Sequence, residues 1–311
     1  MNTPRWSRPQ RLKNDFVYAA VWCALVLVRW LPRSISIAVG HVLGALAFHC
    51  APRTRDLAIA NLARAFPGCD ARRLARRNHH ELGGLLGDTV ALLREREPVR
   101  LSFAEGARGV LERARAAGRG VVLVTAHLGP WERLAAALVA EGFPLTTPVR
   151  TSYDPRLEAA LHAPLRRARG VDALDRDAPG TPRALVRALR RGNVAGFLVD
   201  LNTRVASARV SFFGAPAWTP TGPARLALRT GAPVVAAFAT RDGIVVEEVR
   251  SAGAPSDASE AAVLELTQAM TAHVERAIAR EPERWIWMHD RWGERREKLE
   301  RDEPSTVLEA T

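Results

Sequence analysis

The chain has 311 residues, of which 45 are lysine or arginine and 33 are aspartate or glutamate, so its formal net charge is +12. A chain of this length can bury a large core as one α/β domain with an N-terminal extension. The positive charge indicates an anionic partner, which is a nucleic acid, an anionic lipid or an acidic protein. The three cysteines, Cys23, Cys50 and Cys69, have no CxxC spacing. This argues against a zinc site or a disulfide framework and fits the reducing cytoplasm.

Two apolar segments lie near the N-terminus. Residues 16–31 follow a basic start and are interrupted only by Arg29, and residues 35–51 form the second segment. The first segment is shorter than the roughly 20 residues that a spanning helix needs. Because basic residues flank both segments, they favour a membrane anchor, as a hairpin, an interfacial helix or a single span. A buried pair of core helices is the alternative. We therefore expect an anchor over residues 1–52 and an α/β domain over residues 53–311.

The segment after the anchor is helical and amphipathic. A helix is predicted from Arg53 to the Phe66-Pro67-Gly68 stop, and Asp70 is suited to cap a second helix over residues 71–94. In this second helix the leucines share one face and the arginines the other. An arginine-rich face of this kind is usually solvated, and it can also hold a domain against acidic lipid headgroups.

Beyond Gly120 the pattern alternates between strands and helices, which indicates a sheet covered by helices. Strands are predicted at residues 121–126, 145–149, 171–174, 194–199, 209–213, 234–239 and 244–249. Helices are predicted at residues 132–141, 155–168, 182–191, 223–230 and 259–280. The predicted fold class is α/β, with a mixed, mostly parallel sheet flanked by helices and an N-terminal helical membrane anchor.

The chain is organised around residues 121–132, Val-Val-Leu-Val-Thr-Ala-His-Leu-Gly-Pro-Trp-Glu. The apolar run predicts a buried strand that ends near His127, and Gly129-Pro130 then turns the chain into a helix that carries Glu132. We expect the imidazole to act as a base and the carboxylate to orient it. The chain has no serine-elbow motif, so this pair would activate a hydroxyl or amine of the substrate. A histidine and a glutamate at this spacing also occur on exposed turns without function.

Other polar residues follow the predicted strands. Arg150 and Asp200 come after two of them, and Asp200 would either orient a substrate or cap its loop. The carboxyl ends of parallel strands meet at one rim, so these residues are expected near His127. Guanidinium groups pair with phosphate oxygens, which makes phosphate binding the expected role of four arginines. For each one alone, solvent exposure is the alternative: Arg150, Arg166, Arg167 and Arg169.

The His-x4-Glu of His127 and Glu132 resembles the signature of glycerolipid-type acyltransferases. Within that superfamily the chain is most similar to the bacterial lipid A secondary acyltransferases, the lauroyl and myristoyl transferases. Further matching motifs occur in order along nearly the whole chain. They are Asn-Leu-Ala-Arg-Ala-Phe-Pro at 61–67, Val149-Arg150, Asp154-Pro155, Arg190-Arg191-Gly192, Asp200, Phe212-Phe213-Gly214, residues 219–222, residues 231–234, residues 285–289 and Arg291-Trp292.

The resemblance implies an acyltransferase for groups other than aminoacyl groups, acting in lipid A and lipopolysaccharide biosynthesis at the bacterial inner membrane, with its catalytic domain facing the cytoplasm. It implies that His127 deprotonates the acceptor hydroxyl with support from Glu132. The hydroxyl would attack the thioester of a fatty acid carried by acyl carrier protein, and Arg150 and the arginines near Gly170 would hold a phosphorylated glycolipid. No metal or cofactor is expected, because the acyl thioester is a co-substrate. The basic surface suits both partners.

Departures from the family pattern leave the acceptor open. The chain has Asp200-Leu201-Asn202 where Asp-Gln is common, and Asp290 and Gly293 replace basic residues. A lysophospholipid or an aminolipid, acylated from acyl carrier protein or acyl-CoA, is the alternative acceptor. A phosphatidic-acid-forming enzyme is disfavoured because its Phe-Pro-Glu-Gly-Thr-type loop is missing. A noncatalytic basic membrane-binding protein would explain the charge but not the His127 corner, and no nucleic-acid-binding motif is present, so no nucleic acid partner is expected.

Overall fold

The computed structural model describes residues 31–150, 154–159 and 163–293, with scattered positions between 7 and 22. The first predicted apolar segment, residues 16–31, therefore lies almost entirely outside the described residues. The strands are β1 Val121–Thr125, β2 Leu145–Val149, β3 Asp172–Asp175, β4 Val194–Leu198, β5 Ser207–Phe212, β6 Ala215–Pro220, β7 Val234–Thr240 and β8 Gly243–Arg250. The helices are α1 Arg33–Cys50, α2 Pro52–Ala65, α3 Ala71–Ala91, α4 Ala107–Ala116, α5 Trp131–Ala140, α6 Pro155–Leu157, α7 Ala163–Ala168, α8 Thr181–Arg190, α9 Gly222–Thr230 and α10 Glu260–Arg280.

Six strands form one sheet in the order β3-β2-β4-β1-β7-β8. The neighbours from β3 to β7 are parallel, and β8 is antiparallel to β7. All five residues of β1 are buried, because this strand lies inside the sheet and both of its faces are covered. The prediction of a mixed, mostly parallel sheet flanked by helices is confirmed.

Helices cover both faces of the sheet. Val122 and Val124 of β1 belong to the core under α8, α9 and α10, whereas Val121 and Leu123 belong to the core under α4, α5 and α7. This alternation follows from the two-residue period of a strand. The fold is a three-layer α/β arrangement, and the strands' carboxyl ends are left free to carry a site.

Helix α1 packs on α3 through glycines. A Cβ at Gly40 would lie 2.2 Å from the carbonyl oxygen of Gly83, and one at Gly44 would lie 2.1 Å from that of His79. The two backbones approach this closely only because side chains are missing at the contact. Within the described residues, α1 alone is long and apolar enough to cross a membrane, and 22% of it is buried. Its outer face exposes Ile35, Val39, Val42, Leu43 and Leu46.

One strand of the structure was not predicted. The predicted strand at 209–213 is β5, which pairs with β6 in an antiparallel hairpin outside the main sheet, and β6 was not predicted. Of the predicted helix at 155–168, the structure describes residues 155–159 and 163–168, and these include the helices α6 and α7.

Candidate active site

His127 and Asp200 lie side by side at the carboxyl ends of two neighbouring strands. Thr125 of β1 pairs with Leu198 of β4, and each of the two polar residues follows its strand by the same two positions. The Asp200 Oδ1 atom is 2.9 Å from His127 Nδ1. The Oδ2 atom accepts a hydrogen bond from the backbone N–H of His127 at 2.8 Å and from Trp285 Nε1 at 2.7 Å.

These hydrogen bonds set the ionisation of Asp200. The carboxylate is 1% exposed, and its burial by itself would raise its pKa. The charge of His127 and the N–H donors of His127 and Trp285 more than offset this, so the pKa of Asp200 is lowered. An ionised Asp200 can only accept a hydrogen bond, so the proton between the two side chains lies on His127 Nδ1. In this tautomer Nε2 has a free lone pair. The imidazole therefore has the arrangement of a general base.

The turn after His127 needs its glycine. Gly129 has φ +60°, and a Cβ there would lie 2.3 Å from the carbonyl oxygen of Ala239. The Gly129 N–H donates to the carbonyl of Arg284 at 3.1 Å, which ties the corner to the segment after α10. Trp131, the first residue of α5, packs edge-on against the His127 ring with centroids 5.2 Å apart. Neighbours on several sides thus fix the imidazole.

His127 lies in the wall of an open cleft of about 930 Å³. Four arginines line this cleft: Arg150, Arg166, Arg176 and Arg204. Three acidic residues line it as well: Glu132, which pairs with Arg166, Asp177, which pairs with Arg176 at 3.4 Å, and Asp290. The four arginines exceed the three acidic residues by one charge, so the cleft suits a substrate that carries phosphate or other anionic groups.

Glu132 does not orient His127, contrary to the role predicted from the sequence. It lines the same cleft, but its Oε1 atom is 3.2 Å from the guanidinium of Arg166, and the carboxylate at hydrogen-bond distance from the imidazole is that of Asp200. The physical reason is that the parallel register of β1 and β4 places Asp200 within hydrogen-bond distance of His127 Nδ1, while Glu132 is paired with the guanidinium of Arg166. Glu132 and Arg166 are both mostly buried, with about 15% of each side chain exposed.

The arginines near Gly170 divide into different environments. Arg166 lines the cleft, as does Arg150 from the loop after β2. The Arg169 guanidinium instead donates to the backbone carbonyls of Leu92, Glu95 and Glu97, because the chain after α3 leaves these acceptors free. Arg167 is exposed and is not a lining residue of the cleft. The prediction that Arg167 and Arg169 bind substrate is not supported by this geometry.

Asp200 also differs from the role predicted for it. It was expected to contact a substrate or to cap a loop, but it is buried and both of its oxygens are engaged by His127 and Trp285. It is therefore a positioning residue that acts through His127.

The structure brings further polar residues to the cleft that sequence reasoning missed, among them Arg176, Arg204 and His289. His289 lines it, and its Nε2 atom accepts a hydrogen bond from the backbone N–H of Asn202 at 3.1 Å. Burial lowers the pKa of His289, so this ring is neutral at physiological pH. The carbonyls of Trp287 and His289 accept hydrogen bonds from the Asn61 side chain. In the sequence, the family motifs that contain Asn61 and residues 285–289 were the signal that could have pointed to these residues.

A small apolar cavity of about 60 Å³ adjoins the cleft. It lies between α5 and the sheet, and its apolar lining includes Leu134, Leu138, Leu145 and Phe197. The two spaces share five lining residues: Trp131, Glu132, Val149, Arg166 and Leu198. A substrate with a charged head and an apolar tail could therefore contact both.

Within the part of the chain that the structure describes, one group of three side chains has the spacing of metal ligands. His41, His80 and Glu81 have ligand atoms within 4.8 Å of one another. The His41 Nδ1 atom is bonded to the His80 carbonyl, and Glu81 pairs with Arg241 at 3.1 Å. None of the three lines the cleft, so this group has no place in the chemistry of the His127 site.

The fold and the site define a class of protein: an α/β protein with a buried carboxylate–imidazole pair at the strand ends, open to an arginine-lined cleft and an apolar cavity. The chain belongs to the bacterial lipid A biosynthesis acyltransferase family, whose profile matches residues 4–294. The resemblance found in the sequence is thereby confirmed.

Curated relatives fall into two groups. The lipid A biosynthesis palmitoleoyltransferase of Escherichia coli (strain K12) is 26% identical over 301 residues, which are 91% of this chain and 94% of that protein. A phosphatidylinositol mannoside acyltransferase of Mycobacterium tuberculosis (strain CDC 1551 / Oshkosh) is 28% identical over 188 residues, which are 58% of this chain. The aligned part spans a little more than half, 57%, of that mycobacterial protein.

Proposed function

We propose that this protein is a membrane-associated acyltransferase that moves a fatty acyl group from an acyl carrier protein thioester to a hydroxyl of a lipid A precursor or related glycolipid. One observation carries the proposal: the imidazole of His127, held by Asp200, opens onto a cleft lined by four arginines. Membership of the acyltransferase family supports it.

His127 takes the proton from the acceptor hydroxyl in the proposed first step. The lone pair of Nε2 accepts this proton while the hydroxyl oxygen attacks the carbonyl carbon of the thioester. Asp200 stabilises the imidazolium that forms, because its carboxylate is ionised and already hydrogen-bonded to Nδ1–H. No reorganisation of the pair is needed during the reaction.

The second step breaks the carbon–sulfur bond. The tetrahedral intermediate carries a negative oxygen, and backbone N–H groups in the first turn of α5, close to His127, are suited to stabilise it. As the carbonyl re-forms, the thiolate leaves and takes the proton from the imidazolium. The products are an acyl ester and a free thiol, and His127 returns to its neutral state.

The two spaces at the site suit different parts of the substrates. The cleft arginines would bind the phosphates of the glycolipid, with Arg150 and Arg166 on its wall. The apolar cavity beside Trp131 would receive the start of the acyl chain, because its lining is mainly aliphatic. The alternative acceptor is a lysophospholipid or an aminolipid, acylated from acyl carrier protein or acyl-CoA. The phosphatidylinositol mannoside in the name of the mycobacterial relative is a further candidate acceptor.

Helix α1 would place the cleft at a bilayer surface. One side of α1 packs on α3 through glycines, and the opposite side exposes five large aliphatic side chains. An exposed apolar helix face beside basic residues is typical of an interfacial anchor. In a bacterial cell the corresponding location is the inner membrane, with the catalytic domain on the cytoplasmic side.

The test is transfer of a labelled acyl group from acyl carrier protein to a purified lipid A precursor, followed by mass spectrometry of the lipid. His127→Ala should abolish transfer while binding to phospholipid vesicles is retained. His273→Ala is the matched control, because His273 pairs with Glu247 and does not line the cleft. If His127→Ala keeps normal activity, the enzyme proposal is wrong, and vesicle binding without any wild-type transfer would support the noncatalytic membrane-binding alternative.

A further inference from the structure

Helix α8 has an outer face made of arginines. Leu185, Ala188 and Leu189 are buried in the core under the sheet, and Arg183, Arg187 and Arg190 project from the opposite side of the helix. The spacing of these arginines, i, i+4 and i+7, aligns them in one stripe. Arg191 follows directly, and residues 178–199 contain four arginines and no acidic residue.

The arginines of this stripe differ from those of α4 and α10. Arg108 of α4 pairs with Glu112 and Glu141, and Arg276 and Arg280 of α10 pair with Glu247. In the described part of the chain, no carboxylate lies within ion-pair distance of Arg183, Arg187 or Arg190. Protein surfaces normally mix positive and negative side chains. A stripe of unpaired arginines therefore produces a positive electrostatic potential that attracts an acidic partner.

The stripe begins beside the cleft. In parallel β/α units the helix after a strand starts at the carboxyl edge of the sheet, and Arg176 and Asp177, in the loop between β3 and α8, line the cleft. Arg183 lies in the first turn of α8, and Arg190 is its last residue. The stripe therefore runs away from the cleft for about 10 Å, which is seven residues at about 1.5 Å each.

We propose that the arginine stripe of α8, Arg183, Arg187 and Arg190, is the docking surface for an acidic acyl carrier protein. This inference rests on the proposed function and locates the donor partner on the molecule. A carrier protein presents its thioester on a long flexible arm, so it must sit outside the cleft and within reach of it. The stripe meets this requirement and has the complementary charge. The exposed apolar face of α1 remains available for the bilayer.

The experiment compares two triple charge reversals. The test variant is R183E/R187E/R190E. The control variant is R100E/R113E/R229E, which makes the same change of net charge at exposed arginines outside α8. Each purified full-length protein is assayed with the same acyl group on acyl carrier protein and on a small pantetheine thioester. Binding of fluorescent carrier protein is measured in parallel by anisotropy, which needs no turnover.

The test variant should raise the KM for the carrier-bound donor about tenfold or more at low salt, with kcat retained, and weaken carrier binding to the same degree. The difference from wild type should shrink as the salt concentration rises. Transfer from the small thioester should stay within twofold for both triple variants. Equal losses with both donors, equal losses in the control variant, or unchanged carrier binding would each overturn the docking proposal. Wild-type protein that binds carrier through the stripe but transfers from neither donor would instead refute the proposed function.

Discussion

The His127–Asp200 pair and the rim of the cleft are built differently. Asp200 is 1% exposed and its carboxylate is hydrogen-bonded to His127 and Trp285. At the rim, Arg150 is exposed, whereas Arg166 is mostly buried and pairs with Glu132 at 3.2 Å. A buried carboxylate with three N–H donors keeps one geometry, whereas an exposed guanidinium group such as that of Arg150 is screened by water and salt.

This difference separates two tasks in the proposed reaction. The His127–Asp200 pair is suited to hold a proton at a fixed atom, which requires a fixed geometry. The rim is suited to bind anionic groups, because guanidinium groups pair with phosphate oxygens. Changes at the His127–Asp200 pair should therefore affect kcat, and changes at the rim should affect KM.

The largest effect in this comparison is expected for Asp200→Asn. The amide keeps the size of the side chain but does not stabilise the imidazolium or hold the reactive tautomer, so kcat should fall by about 10³ to 10⁴ with little change in KM. Steady-state kinetics with varied acceptor measure both constants. A kcat within a factor of a few of wild type would show that Asp200 does not act through His127.

The same variant should change the acid stability of the fold. The pKa of Asp200 is lowered in the folded protein, so its ionised form stabilises the fold above the unfolded value of about 4. This contribution is lost as the pH falls through the lowered folded pKa. The difference in denaturation midpoint between wild type and Asp200→Asn should therefore narrow below about pH 4. A constant difference at every pH would contradict the assignment of an ionised Asp200.

Trp285→Phe should give the next largest effect. It removes the indole N–H from Asp200 Oδ2 and keeps an aromatic ring in a fully buried position. One hydrogen bond to a charged group contributes about 1.5 to 3 kcal/mol, so kcat should fall on the order of tenfold or more. Trp292→Phe is the control, since its indole N–H bonds to the Phe212 carbonyl and not to Asp200. Equal losses in both variants would indicate a general packing defect.

Glu132→Gln should have a smaller effect, and on a different constant. Its partner is Arg166, so loss of the negative charge should displace that guanidinium and raise the KM for a phosphorylated acceptor several-fold. The value of kcat should change less than in Asp200→Asn. A fall in kcat of about 10² or more at unchanged KM would restore Glu132 as a direct support of His127.

The smallest effect is expected for Arg150→Ala. This side chain is exposed at the rim and lines the cleft beside Val149. Its removal should raise the acceptor KM a few-fold at low salt and less at high salt. Titration of acceptor concentration at two ionic strengths measures this, and a change confined to kcat would contradict the proposed phosphate contact.

Sequence patterns predicted the sheet strands well because buried parallel strands are short apolar runs bounded by turn residues. Residues 121–126 and 194–199 were expected as strands, and β1 and β4 occupy nearly those positions. The strand predicted at 209–213 is β5, but its partner β6 was not predicted, since a strand period does not say which strand it pairs with.

The sequence by itself determined the fold class, the family and the position of His127 at a strand end, because these depend on local apolar runs, turn residues and ordered motifs. Only the tertiary structure decided which carboxylate serves the imidazole. Glu132 is five residues from His127 and bonds to Arg166, whereas Asp200 is 73 residues away and reaches Nδ1 through the register of β1 and β4. Hydrogen bonds form only over about 3 Å. The partner of His127 is therefore decided by distance in space, which the sheet sets, and not by distance along the chain.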